Sequence, residues 1–124
     1  MNVLVDSRSL LEYLHLRRVA EAWAGAQVYR APLLGRGRLE RHYDVIVSAR
    51  SDAENLATAE RWRNNWGMTF LILIMDSEDR RFEAMNCHVF DYLTRPLDEE
   101  CFVRALRDAE TYFAGGARRR RTAH

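Results

Sequence analysis

Apolar and polar residues alternate in blocks along the chain, and the blocks predict strands that alternate with helices. Short runs of apolar and β-branched residues predict five strands, at 2–6, 27–30, 44–48, 69–75 and 89–93. The run at 70–75 is apolar at every position, as expected for a strand that is buried on both faces. Such strands, connected by helices, form a parallel sheet with helices on both faces.

The first two predicted helices differ in length. The first begins near Ser7 and Ser9, which can cap it, and ends at Gly25. Its apolar stripe is predicted to consist of Leu10, Leu11, Leu14, Val19, Ala22 and Trp23. Proline and glycine residues between 32 and 37 leave room for one or two helical turns before residue 42, so the second helix is predicted to be shortened.

Three further helices are predicted, at about 52–66, at about 78–87 and from 98 to 113. Apolar residues recur at helical spacing in the third and fifth helices. These residues are Leu56, Ala59, Trp62 and Trp66 in the third helix, and Phe102, Leu106, Ala109 and Phe113 in the fifth. Gly67 is expected to end the third helix, and Gly115 with Gly116 is expected to end the last one. We therefore predict one domain over residues 1–114 and a flexible basic tail over 115–124.

Composition and charge fit one globular domain and argue against a dedicated nucleic-acid-binding domain. A chain of 124 residues that is 48% hydrophobic and 30% charged can bury a core. All 18 acidic residues precede position 114, whereas four of the 19 basic residues lie at 118–121. An acidic body with a short basic tail differs from the broad basic face of a dedicated nucleic-acid domain.

Neither a membrane location nor an enzymatic activity is predicted. No apolar run reaches the roughly 18 to 20 residues of a membrane span, and the N-terminus has no secretory pattern, so we expect a cytoplasmic protein. The two cysteines, Cys87 and Cys101, are expected to be reduced. The four histidines are scattered without metal-ligand spacing, and no glycine-rich phosphate loop or pair of catalytic carboxylates is present. We therefore expect no metal, no cofactor and no catalysis.

The carboxyl ends of the predicted strands are the expected location of a functional site. In an open parallel sheet these ends meet at one edge, where ligands bind. The residues expected to converge there are Asp6 and Ser7, Ser48 to Arg50, Met75 and Asp76, and Thr94 to Pro96.

Three sequence segments resemble the receiver domains of response regulators in two-component signalling. Residues 91–97, DYLTRPL, resemble the D-Y-L-x-K-P-F signature of that family. Residues 43–47, YDVIV, resemble its third strand, and residues 3–6, VLVD, resemble its first strand with an acidic end. The similarity is stronger over 43–113 than over 1–42. The resemblance implies a flavodoxin-like three-layer α/β fold with a five-stranded parallel sheet.

The same resemblance implies a phosphorylation pocket that this chain has largely lost. The family's phosphoryl-accepting aspartate corresponds to Ala49, and the acid pair that helps to hold Mg²⁺ corresponds to Asp6 and Ser7. The family's Thr or Ser after the fourth strand corresponds to Met75, and its Lys before Pro corresponds to Arg95. Alanine supplies no nucleophile, and Mg²⁺ requires hard oxygen ligands. The resemblance therefore implies a pseudo-receiver that signals without phosphorylation.

Two questions about this pocket stay open from the sequence. Arg95 either enters the pocket and pairs with Asp6, replacing the charge of the metal, or lies at the surface. Asp52 could serve as the acceptor only if the alignment contained a gap, because a shift of one residue brings only Ser48 or Arg50 to the position.

The resemblance also implies a docking surface. Receivers of this type commonly dimerise or bind targets through the fourth helix, the fifth strand and the last helix, where mixed charges can set specificity. Phe90 and Tyr92 are predicted to lie on one side of the fifth strand as apolar anchors. The candidate interface residues are Arg80, Glu83, Phe90, Tyr92, Arg104, Arg107 and Asp108.

The function most consistent with these features is protein–protein interaction or homodimerisation without phosphorylation. One alternative is a transcription-associated regulator that contacts nucleic acid through its tail. The tail residues concerned are Arg118, Arg119, Arg120 and Arg121. The tail could equally be the start of a linker or a solubilising end. A second alternative is a pseudo-receiver that senses a small ligand in the vacated pocket.

Overall fold

A computed structural model describes residues 1–31, 42–65 and 68–122, with the backbone alone at 65 and 114–122. The five strands are β1 (Asn2–Asp6), β2 (Gln27–Arg30), β3 (Val45–Ser48), β4 (Phe70–Met75) and β5 (Asp91–Thr94). The helices are α1 (Leu10–Ala24), α2 (Asp52–Trp62), α3 (Arg81–Asn86) and α4 (Glu99–Thr122), and a 3₁₀ turn spans Arg63–Asn65.

All five strands are parallel, in the order β2-β1-β3-β4-β5. β4 is buried along its whole length, which agrees with its continuous apolar sequence. Residues of α1 and α4 pack on one face of the sheet, and residues of α2 and α3 pack on the other. This arrangement is the predicted flavodoxin-like three-layer α/β fold, with a five-stranded parallel sheet and helices on both faces. The predicted shortened second helix lies outside the described residues.

The ends of α1 follow the predicted capping. Ser9 is the N-cap, and its hydroxyl accepts a hydrogen bond from the Glu12 N–H (3.2 Å). Gly25 ends the helix with φ 56°, a left-handed conformation that glycine adopts without steric cost. Both predicted helix boundaries are confirmed.

The predicted buried face of α1 was mostly wrong. The buried residues are Tyr13, Leu16, Val19 and Ala20. Among the predicted stripe, only Val19 is buried, whereas Leu10, Leu11, Leu14 and Trp23 are between 45% and 81% exposed. Apolar residues occur on more than one side of this helix, so their spacing allows two faces. The face that packs on the sheet carries Leu16 and, one turn later, the small side chain of Ala20.

Several other boundaries differ from the sequence prediction by a few residues. α2 ends at Trp62 and continues as a 3₁₀ turn, α3 begins only at Arg81, and β5 begins at Asp91. The predicted helix end at Gly115 was also wrong, because the α4 backbone continues to Thr122. Arginine is a good helix former, and glycine inside a helix costs only about 1 kcal/mol. The division into a domain and a flexible tail stays a prediction. Within the ranges that the structure describes, no helix is long and apolar enough to cross a membrane.

Candidate functional site: a charge-filled pocket

The residues that follow β1, β3, β4 and β5 meet at one edge of the sheet, as predicted. The Ala49 N–H donates a hydrogen bond to the Asp6 carbonyl (2.8 Å), which joins the ends of β1 and β3. The Arg95 N–H donates to the Met75 carbonyl (2.8 Å), which joins β5 to β4. Parallel register keeps these four ends level, with Asp6 opposite Ser48. We call this place the edge pocket.

No carboxylate occupies the acceptor position of the edge pocket. Ala49 is buried there and offers only a methyl group. The neighbouring Ser48 hydroxyl is buried and donates to Asn55 Oδ1 (2.8 Å). Asp52 begins α2, and its carboxylate accepts hydrogen bonds from the N–H groups of Asp76 (2.7 Å) and Ser77 (3.2 Å). Asp52 is therefore held at the end of β4 and does not replace Ala49.

Arg50 provides the positive charge nearest to Asp6. Its Nε lies 3.2 Å from Asp6 Oδ1, and its Nη1 lies 3.3 Å from Glu54 Oε2. The Nε–H is not aligned for a hydrogen bond, so the contact with Asp6 is an ion pair only. Burial raises the pKa of Asp6, and the Arg50 charge partly opposes that rise.

Arg95 enters the edge pocket, but its partner is not Asp6. Its Nε donates to Glu12 Oε2 (2.9 Å), its Nη1 to Asp76 Oδ1 (3.0 Å) and its Nη2 to the Ala49 carbonyl (2.7 Å). The hydrogen bond with Glu12, the largest effect, raises the pKa of Arg95. The predicted pairing of Arg95 with Asp6 was wrong because Arg50 already pairs with Asp6.

Ser7 and Met75 hold the walls of the edge pocket. The buried Ser7 hydroxyl donates to Glu12 Oε1 (2.8 Å) and so orients that carboxylate toward Arg95. Met75 is fully buried, with its Sδ 3.3 Å from Asn55 Nδ2. The family's chemistry uses a carboxylate at the position of Ser7 and a hydroxyl at the position of Met75. Neither residue supplies the group expected at its position.

The edge pocket does not fit the Mg²⁺ ion that the receiver resemblance implies. Magnesium sites in proteins use carboxylate and water oxygens. Asp6 is paired with Arg50, and Glu12 is paired with Arg95. Among the described residues, no group of three or more His, Cys, Asp or Glu side chains is arranged to hold a metal ion.

Sequence reasoning missed two residues that build this site, namely Glu12 and Asn55. It placed Arg50 at this edge of the sheet but did not assign Asp6 as its partner, and Glu12 fitted a helix-capping pattern three residues after Ser9. Asn55 is fully buried and contacts both β3 and β4. A signal was present, because arginine next to a buried strand end requires an acidic partner.

Of the two predicted apolar anchors of the docking surface, Tyr92 is buried and Phe90 is partly exposed. Tyr92 is 1% exposed, its hydroxyl donates to the Ser77 carbonyl, and the Arg81 guanidinium lies over its ring. Phe90 stacks on Phe70 with ring centroids 4.5 Å apart. Phe90 precedes β5, so the alternation of a strand does not apply to it.

The charged residues of the predicted docking surface divide between two faces. Arg80 and Glu83 form an exposed ion pair (2.9 Å) beside α3, where Phe82 is 78% exposed. The remaining three residues, Arg104, Arg107 and Asp108, line a groove with Trp23 of α1. The side chains of Arg118, Arg119, Arg120 and Arg121 lie outside the described residues.

The fold matches that of several solved structures, among them receiver domains of response regulators. The response regulatory domain of protein mrkE from Klebsiella pneumoniae has a TM-score of 0.74 and 16% identity, and the match covers 93% of this chain and 99% of that chain. The beryllofluoride-activated NtrC4 receiver domain dimer has a TM-score of 0.74 and 22% identity over 90% and 98%. A putative pilus assembly protein (cpaE) from Burkholderia thailandensis has a TM-score of 0.72 and 23% identity over 90% and 98%. No family model and no curated protein matches the sequence.

These likenesses establish the fold class. The chain has the fold of response-regulator receiver domains, which the DYLTRPL segment indicated from the sequence.

Proposed function

We propose that this chain is a pseudo-receiver that acts by binding proteins and does not take up a phosphoryl group. The observation that carries the proposal is the pair of guanidinium groups in the edge pocket. Arg50 pairs with Asp6, and Arg95 pairs with Glu12 and Asp76. With Ala49 at the acceptor position, the pocket offers neither a nucleophile nor a free carboxylate pair for a metal.

The internal pairing supports signalling from one fixed pocket conformation. Arg95 donates to the carbonyls of Ala49 (2.7 Å) and Arg50 (3.3 Å), so it tethers the β3–α2 connection without any phosphoryl group. Bonds from a charged donor are about twice as strong as neutral ones. A domain without a chemical switch transmits information through its contacts, either with another protein or with a second copy.

Two alternatives remain from the sequence, and they have unequal support. The small-ligand alternative needs a vacated pocket, but the two guanidinium groups lie between the carboxylates there. Nucleic-acid binding through Arg118 to Arg121 rests on the tail sequence alone. Retention on DNA that weakens with added salt, and that is lost when these four arginines become glutamine, would favour it.

Intact-mass spectrometry after incubation with acetyl phosphate and Mg²⁺ tests the proposal. The wild-type chain should gain no phosphoryl group, whereas a receiver with an intact acceptor should gain one under the same conditions. The variant Ala49→Asp should also remain unmodified, because Arg50 and Arg95 still occupy the pocket. A phosphorylated wild-type chain would overturn the proposal. Phosphorylation of Ala49→Asp would show that the missing acceptor carboxylate alone prevents phosphorylation, and that Arg50 and Arg95 do not block it.

A further inference from the structure

The connection between β4 and α3 is held by side chains from two neighbouring elements. It spans residues 76–80, and we call it the β4–α3 loop. On one side, the Asp52 carboxylate of α2 accepts hydrogen bonds from the Asp76 N–H (2.7 Å, at Oδ1) and the Ser77 N–H (3.2 Å, at Oδ2). On the other side, the Tyr92 hydroxyl of β5 donates to the Ser77 carbonyl. The first two residues of the loop are therefore fixed through their backbone.

Asp52 plays the part of a bound anion in this arrangement. Two consecutive N–H groups that donate to one acceptor form a concave site for an anion. Each oxygen of the Asp52 carboxylate accepts from one of these N–H groups. Within the ranges that the structure describes, this carboxylate forms no ion pair and no other hydrogen bond. The chain thus supplies, from the first turn of α2, the anion that binds the loop.

The other contacts of the β4–α3 loop are exposed ion pairs, which position it less firmly. Arg95 Nη1 lies 3.0 Å from Asp76 Oδ1, but the Asp76 side chain is 66% exposed. Arg81 pairs with Glu78 (2.7 Å), and both of these side chains are also exposed. Exposed pairs contribute little because water screens them. The backbone contacts made by Asp52 and Tyr92 are therefore the ones that determine where the loop lies.

The position of the β4–α3 loop also determines the position of α3. Only five residues connect β4 to α3, and Arg81, the first residue of α3, donates to the Tyr92 carbonyl (3.2 Å). This end of α3 is thereby held against β5. The helix carries Phe82, whose side chain is 78% exposed. A contact that fixes the loop therefore fixes how this exposed aromatic ring is presented.

We infer that the Asp52 carboxylate is a built-in anion that keeps the β4–α3 loop and α3 in one position, so that no external anion is required. Asp52 is thus a positioning residue. The inference deepens the proposed function and rests on it, because it names the contact that fixes an exposed surface in place of a chemical switch. The two fail separately. Phosphorylation would overturn the proposed function whatever holds the loop, and a loop that is independent of Asp52 would overturn the inference whatever the phosphorylation result.

Amide hydrogen exchange of the full chain, followed residue by residue by NMR, tests the inference by removing and replacing the anion. Asp52→Ala should speed exchange at the Asp76 and Ser77 N–H groups by about tenfold or more, the factor expected for the loss of a hydrogen bond to a charged group. Exchange within α3 should also become faster. Sodium formate should restore protection at both N–H groups of this variant, because it returns a free carboxylate, whereas sodium chloride at equal ionic strength should not.

The control is Asp79→Ala, which removes a carboxylate of the same loop that makes no hydrogen bond or ion pair among the described residues. It should leave exchange at Asp76 and Ser77 unchanged. Unchanged exchange in Asp52→Ala overturns the inference. So does an equal effect of Asp79→Ala, or faster exchange that formate does not reverse, since Asp52 would then act only on α2.

A second variant keeps the test decisive if Asp52→Ala does not fold. Asp52→Asn keeps an oxygen acceptor but loses the charge, so its hydrogen bonds to the loop should be weaker. Faster exchange at the two loop N–H groups, in a chain whose circular dichroism is that of the wild type, supports the inference. Exchange at the wild-type rate overturns it.

Discussion

Arg95 joins more elements than any other side chain of the edge pocket. It contacts Glu12 of α1, the carbonyl of Ala49 after β3, and Asp76 after β4, while its own backbone extends from β5. Its side chain is 25% exposed, so water screens these contacts only in part. One guanidinium thus holds together strand ends that are far apart in the sequence.

Arg95→Ala should lower the free energy of unfolding by about 2 kcal/mol, because it leaves Glu12 Oε2 and the Ala49 carbonyl without the donor that Arg95 provides. Arg95→Lys should recover only part of the loss, since an ammonium group cannot reproduce the planar set of donors. Urea denaturation measures both. Arg80→Ala is the matched control at an exposed pair and should cost at most about 1 kcal/mol. Equal losses for Arg95→Ala and Arg80→Ala would contradict the role of Arg95.

Asp6 gives the edge pocket a pH dependence of known sign. Burial raises its pKa in the folded chain above the ordinary value of 3.8. Its contribution to stability is therefore fully present below that ordinary value and is lost as the pH rises through the raised folded pKa. The stability of the wild type relative to Asp6→Asn should therefore fall as the pH rises above the ordinary value of 3.8.

Glu83→Gln is the control for this measurement and should behave in the opposite way. The hydrogen bond from Arg80 lowers the pKa of Glu83, so the wild type should gain stability relative to that variant as the pH rises. Urea denaturation at a series of pH values gives both differences. A stability difference for Asp6→Asn that rises with pH would mean that attraction to Arg50 outweighs burial.

At the scale of elements, Asn55 links α2 to the two central strands. Its Nδ2 donates to the Ile74 carbonyl (2.8 Å), and its Oδ1 accepts from the Ser48 hydroxyl (2.8 Å) and the Arg50 N–H (2.9 Å). The side chain is fully buried, so each bond is protected from water. This contact fixes the loop that carries Ala49 and Arg50.

Asn55→Ala should destabilise the fold by roughly 2 to 4 kcal/mol, because it leaves three buried polar groups unsatisfied. The exposed Asn86, at the end of α3, provides the control, and Asn86→Ala should change stability by no more than about 0.5 kcal/mol. Thermal and urea denaturation measure the difference. If both variants were equally stable, Asn55 would not be the residue that positions the edge pocket.

The strands were easier to predict from the sequence than the helix faces. β4 could be identified because six consecutive apolar residues suit a strand covered on both sides. The buried face of α1 could not, because Leu10, Leu11 and Leu14 compete with Leu16 for the core and only packing decides between them. Tyr92 and Phe90 were misplaced for a related reason, since alternation holds only within the paired strand.

For the whole molecule, the sequence predicted the fold and the location of the site but not the contacts within it. The DYLTRPL segment and the alternating strands were sufficient for the receiver fold, and the carboxyl ends of the strands located the edge pocket. The partner of Arg95 depends on which acidic side chains the fold places closest to its guanidinium group. Glu12 lies in the first turn of α1, so its place in the pocket becomes evident only once α1 is oriented on the sheet.

The central claim is that Arg50 and Arg95 have replaced the metal and phosphoryl chemistry of this pocket. Amide resonances of the full chain, recorded by NMR while Mg²⁺ and then beryllofluoride are added, test it most directly. We predict no saturable shifts at residues 5–8, 48–50 and 94–96. Saturable shifts confined to those three segments would show that the pocket still accepts a metal and a phosphoryl-like anion, and would contradict the account.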